Sequence, residues 1–409
     1  MSEIMKGRNQ MAVNQKEKLK ELLRRLHKGE NIRVLKQELK QILGSASPLL
    51  ISQVEQELLN EGLPREQLRQ LCEVHLELFS KGLESEKIQV PSSHPVHTFM
   101  EEHQFITNVL QQALPLMRKI IASNNYDKVE QEAQKLKDIT ETLLEFENHN
   151  IREENALFPY LEKHGVTEPP AIMWAEHNDF RDKKKKLFAL LENFIQAEFS
   201  SAKQEIEKLV IQLVEGLPNH FFKENNILYP TALKLLSEQE WSEIKESCDE
   251  LGYTSFVSER PKQGTERSTK QTVLLEQEEI QLPTGRLTLE ELQAVLNSLP
   301  VDISFVDKND TVRYFNQPEE RIFPRAVAVL GRKVQNCHPQ KSVHVVNQIL
   351  DDFKSGRKDM AEFWLQIKDK FIHIRYFAVR NAKGEYLGTL EATQDITQIR
   401  KLKGHKTLL

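Results

Sequence analysis

The chain has 409 residues, too many for one ordinary core, so two to four domains are expected. Hydrophobic residues make up 39% and charged residues 29%, with a mean hydropathy of -0.53 and a net charge of -5. No apolar run nears the roughly 18–20 residues of a membrane span, and the charge gives no reason to expect nucleic acid as a partner. The leading MSEIMKGRNQ lacks the apolar stretch of a secretory signal. Three distant cysteines (Cys72, Cys248, Cys337) with no CxxC pair argue against a disulfide framework, so a cytoplasmic location is expected.

In chain order, residues 15–88 read as a small all-helical domain. Leu19, Leu22, Leu23 and Leu26 recur at helical spacing, and Ile32, Leu35, Leu39, Ile42 and Leu43 repeat the pattern. Gly44–Pro48 and Asn60–Pro64 break it. His27 and His75 stand alone there and read as surface or packing residues.

Residues 94–252 are again helical, but seven of the thirteen histidines of the chain fall between His94 and His220. Pro95 suits a first helical position. The run Lys183–Lys186 reads as a solvated helix face. Residues 253–284 form a polar linker with a short apolar patch, Val273–Leu275. The period then changes. Strand-like runs at Ile303–Asp307 and Thr311–Asn316 flank a turn at Lys308–Asp310. A helical middle includes Ser342–Phe353, and three more strands follow at Phe363–Ile367, Phe371–Val379 and Tyr386–Thr393, with a turn at Asn381–Gly384. Residues 285–400 are therefore a compact α+β domain.

The strongest signal is an internal repeat. Residues His149–Pro159 and His220–Pro230 both read H-x3-E-x-N-x-L-[FY]-P. Upstream of each lies a second match, Glu102-His103 and Glu176-His177, with 46 residues from His103 to His149 and 43 from His177 to His220. A two-helix unit is used twice.

Residues four apart share a helix face, so His149 with Glu153 and His220 with Glu224 each make a two-ligand claw. His103 and His177, one on each remaining helix, complete a set converging on a bundle interior. Four imidazoles and two carboxylates exceed what one tetrahedral zinc needs. Two metals bridged by the glutamates use them all and leave positions for an oxo bridge, water or a diatomic ligand. Mixed imidazole and carboxylate ligation suits iron, with zinc and manganese as alternatives.

On these motifs the region resembles the hemerythrin-like, cation-binding HHE domains over about 130 residues, and especially the di-iron proteins linked to nitrosative stress and iron–sulfur repair. The resemblance implies two non-haem irons, oxo- or hydroxo-bridged, with Glu153 and Glu224 bridging and His103, His149, His177 and His220 as terminal ligands. Two departures put reversible oxygen storage in doubt. Arg181 stands where oxygen carriers place a second histidine on the third helix, and Glu224 follows His220 by four residues where they use an aspartate after five. A fifth histidine, His97, is a candidate ligand. It lies about 240° round a continuous helix from His103, so it joins only if that helix starts late or bends. Otherwise His97 and His94 cap the lead-in segment or support the ligands. Glu102, Glu154 and Glu176 are expected to orient ligands or face solvent, and His164 to sit at a helix C-terminus.

The order of a short helical domain, a domain opening His94-Pro-Val-His97-Thr-Phe99, and a sensory fold resembles the bacterial DUF438-type proteins. The third region resembles a PAS domain through Leu299–Ile303, Gly331-Arg332 and Thr393–Thr397. The pocket of such domains holds haem, flavin or a small metabolite in some members and nothing in others; if haem is bound, His338 and His344 are the candidate cofactor ligands, with Cys337 as a redox-sensitive thiol. The competing reading makes these helix-start and surface residues, and His373 strand surface. The expected function is a cytosolic sensor or stress-response protein whose di-iron site binds or reacts with O2, NO or peroxide, relayed by the PAS domain. The alternative is a di-iron enzyme or iron donor in detoxification or iron–sulfur cluster repair. Expected partners are the small diatomic or peroxide ligand, an unidentified protein, and a second copy through the PAS domain.

Overall fold

The computed structural model describes residues 88–194, 199–256, 279–319, 321–367 and 369–405, with a few positions between 17 and 61. Most of the N-terminal helical domain and the patch Val273–Leu275 lie outside the described residues. The described positions between Glu17 and Arg25 are helical, and Lys20 Nζ pairs with Glu61 and Glu57 at 2.5 and 3.3 Å. The chain divides into two units, Met1–Val257 and Ser258–Leu409.

In the first unit, the helices described from residue 88 onward are α1 (Pro95–Ala122), α2 (Glu130–Glu145), α3 (Glu147–Arg152), α4 (Phe158–Lys163), α5 (Glu168–Glu192), α6 (Phe199–Lys223), α7 (Tyr229–Leu235) and α8 (Glu238–Leu251). Helix α1 packs on α2 and α6, and α5 packs on the same two, which closes a four-helix bundle. Its sequence basis is a 4-3 stripe on each helix. On α1 the stripe runs through the buried Phe99, His103, Ile106, Leu110, Ala113, Met117 and Ile120; on α5 it runs through Met173, His177, Phe180, Lys184, Leu187 and Leu191. One end of the stripes is hydrocarbon. At the other, histidine and glutamate occupy core positions, so the helix register that builds the core also aims the polar groups inward.

The same register corrects one expectation about the lysine run. Lys183 and Lys186 pair with Asp179 and Glu205 as a surface run should, but Lys184 is fully buried, 3.1 Å from Glu147 Oε2. It falls seven residues after His177 on the core stripe, which charge counting alone does not reveal.

Between α3 and α4, and between α6 and α7, the helix widens into one π turn, Glu153–Leu157 and Glu224–Leu228. Each begins on the glutamate of the repeat and ends before the aromatic-proline pair. Pro159 and Pro230 lack the N–H that a regular turn would use, and their rings would crowd the carbonyl four residues back. The amides of Phe158 and Tyr229 reach back five residues instead, to the carbonyls of Glu153 and Glu224. The repeated asparagine ties into the same turn, Asn155 donating to Ile151 O at 2.9 Å and Asn226 to Phe222 O at 2.8 Å. Such bulges recur at functional sites because they re-aim the side chains they carry.

In the second unit, a hairpin of β1 (Ile280–Leu282) and β2 (Gly285–Leu287) leads into α9 (Leu289–Asn297). Strands β3 (Asp302–Asp307), β4 (Val312–Phe315), β5 (Met360–Ile367), β6 (Lys370–Arg380) and β7 (Tyr386–Asp395) form an antiparallel sheet in the order β4-β3-β7-β6-β5. Helix α10 (Gln340–Lys354) packs on β6 and β7. The core is Val306, Val312, Phe315, Val329, Val334 and Leu350. The expected turns are present, with Asp310 at φ 62° and Gly384 at φ 80°. The β1–β2 hairpin was not anticipated by the polar composition of that segment.

Candidate metal centre

The six repeat residues meet at one point in the bundle, each at most 3% exposed. His103 Nε2 lies 3.1 Å from His149 Nε2 and 3.0 Å from Glu224 Oε2. His220 Nε2 lies 2.7 Å from Glu224 Oε1, and His177 Nε2 is 3.5 Å from the same oxygen. Glu153 Oε2 stands 3.4 Å from His177 Nε2 and 3.8 Å from His149 Nε2. Two ligand atoms bound at about 2.1 Å and roughly at right angles stand about 3.0 Å apart, so these spacings suit shared cations. Two donor groups result, His103–His149–Glu224 and His177–His220–Glu224, with Glu224 common to both as a bridging carboxylate would be.

Every imidazole is anchored through Nδ1. His149 Nδ1 donates to Glu102 Oε2 at 2.7 Å, His220 Nδ1 to Glu176 Oε2 at 2.7 Å, His177 Nδ1 to Glu154 Oε1 at 2.9 Å, and His103 Nδ1 to Asn225 Oδ1 at 3.1 Å. A carboxylate can only accept, so the Nδ1 proton is fixed and the Nε2 lone pair faces inward, the arrangement metal-ligating histidines use. The acceptors are anchored in turn. Arg152 and Thr254 hold Glu102, Lys223 holds Glu176, and Arg181 binds both Glu154 and Glu147. Arg181 thus fills the position four after His177 with a support, not a ligand.

The electrostatics belong to a site prepared for positive charge. Burial would raise Glu102 and Glu176, yet their histidine and cationic neighbours hold both at about 2. Burial and the adjacent charge of Glu224 push Glu153 up to about 7, while Glu224, against burial, is held low by His220, His103 and His177. Burial pushes His149 down to about 4, whereas the carboxylates around His177 outweigh burial and raise it. Without a cation, the buried carboxylates must share protons with the imidazoles; a metal ion takes the place of those protons. Glu153 Oε2, Glu224 Oε2 and His220 Nε2 are buried without a hydrogen bond, an expensive condition that bound cations relieve. The residues present fit a metal.

His97 is not brought into this group. Helix α1 begins at Pro95 and runs on unbroken, so His97 faces away, one third exposed, with Nδ1 3.3 Å from Glu101 Oε2. His94 caps α1, its Nδ1 accepting from Val96 N at 3.2 Å, and packs on Trp241. His164 ends α4 and meets Glu240 at 2.8 Å. Sequence reasoning passed over Arg152 and Lys223, although both stand three residues after a repeat histidine and extend the motif to H-x2-[RK]-E. It also passed over Tyr229, whose hydroxyl donates to Glu153 Oε1 at 2.7 Å, and over Asn225. Thr254 had no sequence signal, since its segment reads as linker.

In the second unit, His338 is half-buried, its Nδ1 donating to Val334 O at 2.8 Å, and burial lowers its pKa. His344 is exposed on α10, Cys337 packs against the core, and His373 pairs with Glu362 across β5 and β6.

Residues 94–246 match the hemerythrin HHE cation binding domain, residues 292–397 a PAS domain, and residues 19–85 a family of unknown function, DUF438. The chain joins a DUF438 segment to a hemerythrin-like HHE domain and a PAS domain. Among solved structures, the C-terminal domain of a Streptococcus mutans protein is 32% identical, covering 31% of this chain and 98% of its own, with a TM-score of 0.30. A PAS domain from Colwellia psychrerythraea is 16% identical over 27% of this chain and 98% of its own, with a TM-score of 0.22. A sensory box sensor histidine kinase from Vibrio cholerae is 13% identical over 26% of this chain and 89% of its own, with a TM-score of 0.21. No curated protein matches the chain. The HHE and PAS domains together make this a metal-binding protein of sensory architecture, and no described helix is long and apolar enough to cross a membrane.

Proposed function

We propose that the HHE domain holds a non-haem di-iron centre and that the chain is a cytosolic sensor of O2, NO or peroxide. One observation carries the reading: four Nδ1-anchored imidazoles present their Nε2 atoms to two buried carboxylates that have too few hydrogen bonds. His103, His149, His177 and His220 would hold the ions from the sides, with Glu153 and Glu224 between them. Iron there supplies a change of charge on oxidation and coordination positions for a small ligand. The protein's own groups fix the imidazole tautomers, balance the charge and exclude water. Phe221 and Tyr229 stack on His103 at centroid distances of 4.2 and 5.8 Å, and Phe158 on His177 at 6.0 Å.

Ion pairs run outward from the candidate centre, and a charge change there would act on them first. His177, Glu154, Arg181, Glu147 and Lys184 form one chain of contacts into the core. Such a network biases a second domain only if the two states differ in contact with it. The PAS domain is our candidate relay and dimer contact, its edge strand β5 exposing Met360, Phe363 and Trp364.

The test is hydrogen exchange on the full chain, iron-loaded, in oxidised and reduced forms. The sensor reading predicts altered protection in the PAS domain. Identical exchange outside residues 94–252, with rapid turnover of peroxide or NO, would replace it with an enzyme reading.

A further inference from the structure

The two halves of the centre are related by an approximate two-fold repeat, which allows position-by-position comparison. His103 corresponds to His177, His149 to His220, Glu153 to Glu224, and the supports Glu102 and Arg152 to Glu176 and Lys223. The aromatic that closes each π turn stacks on the lone histidine of the other half, Tyr229 on His103 at 5.8 Å and 13°, and Phe158 on His177 at 6.0 Å and 17°. Against this match, two polar differences fall at His103, apart from Thr254, which bonds Glu102, and Phe221, which stacks on His103.

The first is the Nδ1 anchor. His177 donates to a carboxylate, Glu154, which Arg181 holds in place; His103 donates to the neutral amide oxygen of Asn225. A carboxylate partner makes an imidazole a stronger donor to metal than an amide does. The second is one hydroxyl group. Tyr229 Oη donates to Glu153 Oε1 at 2.7 Å and lies 3.5 Å from His103 Nε2, where Phe158 offers nothing. Glu153 Oε1 therefore faces the His103 side with a lone pair already engaged, while Oε2 faces His177 unengaged.

We propose that the two metal positions are inequivalent, the one at His103–His149 binding more weakly, and that Asn225 and Tyr229 are the positioning residues that make it so. This rests on the dinuclear reading above. The ligand count is equal in the two halves, so the difference comes wholly from groups that touch ligands, each capable of changing metal affinity about 10- to 100-fold.

The experiment is an anaerobic titration of the metal-free full chain with cobalt(II), followed by calorimetry and the visible d–d bands. Wild type should bind two equivalents in two steps at least tenfold apart. H103A should keep the tight step and lose the weak one, while H177A should lose the tight step. Y229F, which keeps the ring stacking and removes one hydroxyl, should narrow the gap, and N225D with Y229F should narrow it further. Two equivalents in one unresolved step, or loss of the tight step in H103A instead of H177A, would overturn the proposal and leave the dinuclear reading standing. A total of one equivalent or none would overturn both.

Discussion

Replacing Glu102 by Gln puts the supporting network under a quantitative test. Glu102 is fully buried and accepts from His149 Nδ1 at 2.7 Å, from Thr254 Oγ1 at 2.8 Å and from Arg152. Arg152 is equally buried, over the rings of Phe99 and Tyr253, with Asn148 as its other acceptor at 3.2 Å. Glu102→Gln leaves a buried guanidinium without its counter-ion, which costs about 3–5 kcal/mol, and Arg152→Met strands the carboxylate at similar cost. The double variant strands neither charge, so it should lose less than the sum of the singles, with a coupling of about 3 kcal/mol. Metal affinity should respond differently. The single and double variants that remove the Glu102 carboxylate both weaken the His149 anchor and should bind about 10- to 100-fold less tightly. Urea denaturation of the metal-free chain and chelator competition measure the two effects separately. Additive single costs would refute the ion pair, and unchanged metal affinity in Glu102→Gln would refute the role assigned to the anchor.

Three further outcomes follow from the same structure. Glu102 and Glu176 are held at about 2 against an ordinary 4.5, so their stabilisation is present above pH 4.5 and drains away as pH falls towards 2. Each supplies at most about 3 kcal/mol, and an acid titration of metal-free wild type should show a steeper loss there than E102Q/E176Q. Burial pushes the Cys248 thiol up to about 12, so thiol labelling followed by mass analysis should modify Cys337 in the folded chain and Cys248 only on denaturation. Lys184 occupies an apolar stripe, and Glu147 retains Arg181 without it. Lys184→Met should therefore be neutral or stabilising by about 1 kcal/mol, whereas Glu147→Gln should destabilise by about 3 kcal/mol, read from denaturation midpoints.

The convergence of six of the seven proposed ligands was legible because its geometry is local, while His97 stays outside the group. Spacing of four within a repeat places His149 with Glu153, and His220 with Glu224, on one face in any helix. The second copy removes chance as an explanation. The α+β plan of the C-terminal domain was legible for a similar reason, since the change from period 3.6 to period 2 needs no tertiary information. What the sequence did not reveal depends on contacts between distant segments. Glu102 meets His149 across 47 positions, Thr254 meets Glu102 across 152, and Tyr229 meets Glu153 across 76. Arg152, Lys223 and Asn225 were in plain view in the repeat, but a basic or amide residue on a helix acquires meaning only when its partner is known. Lys184 misled because a run of four lysines reads as surface, whereas the stripe through His177, Phe180, Leu187 and Leu191 places one of them inside.

The metal content of the full chain tests the assigned centre most directly. Iron-loaded wild type, measured by elemental analysis with its spectrum before and after reduction, should hold about two irons per chain, with charge-transfer bands that reduction removes. The Glu153→Ala/Glu224→Ala variant should hold almost none while keeping its helical circular dichroism. Iron at the wild-type level in that variant, or a wild-type chain that takes up no metal under anaerobic ferrous loading, would contradict the assignment of the centre.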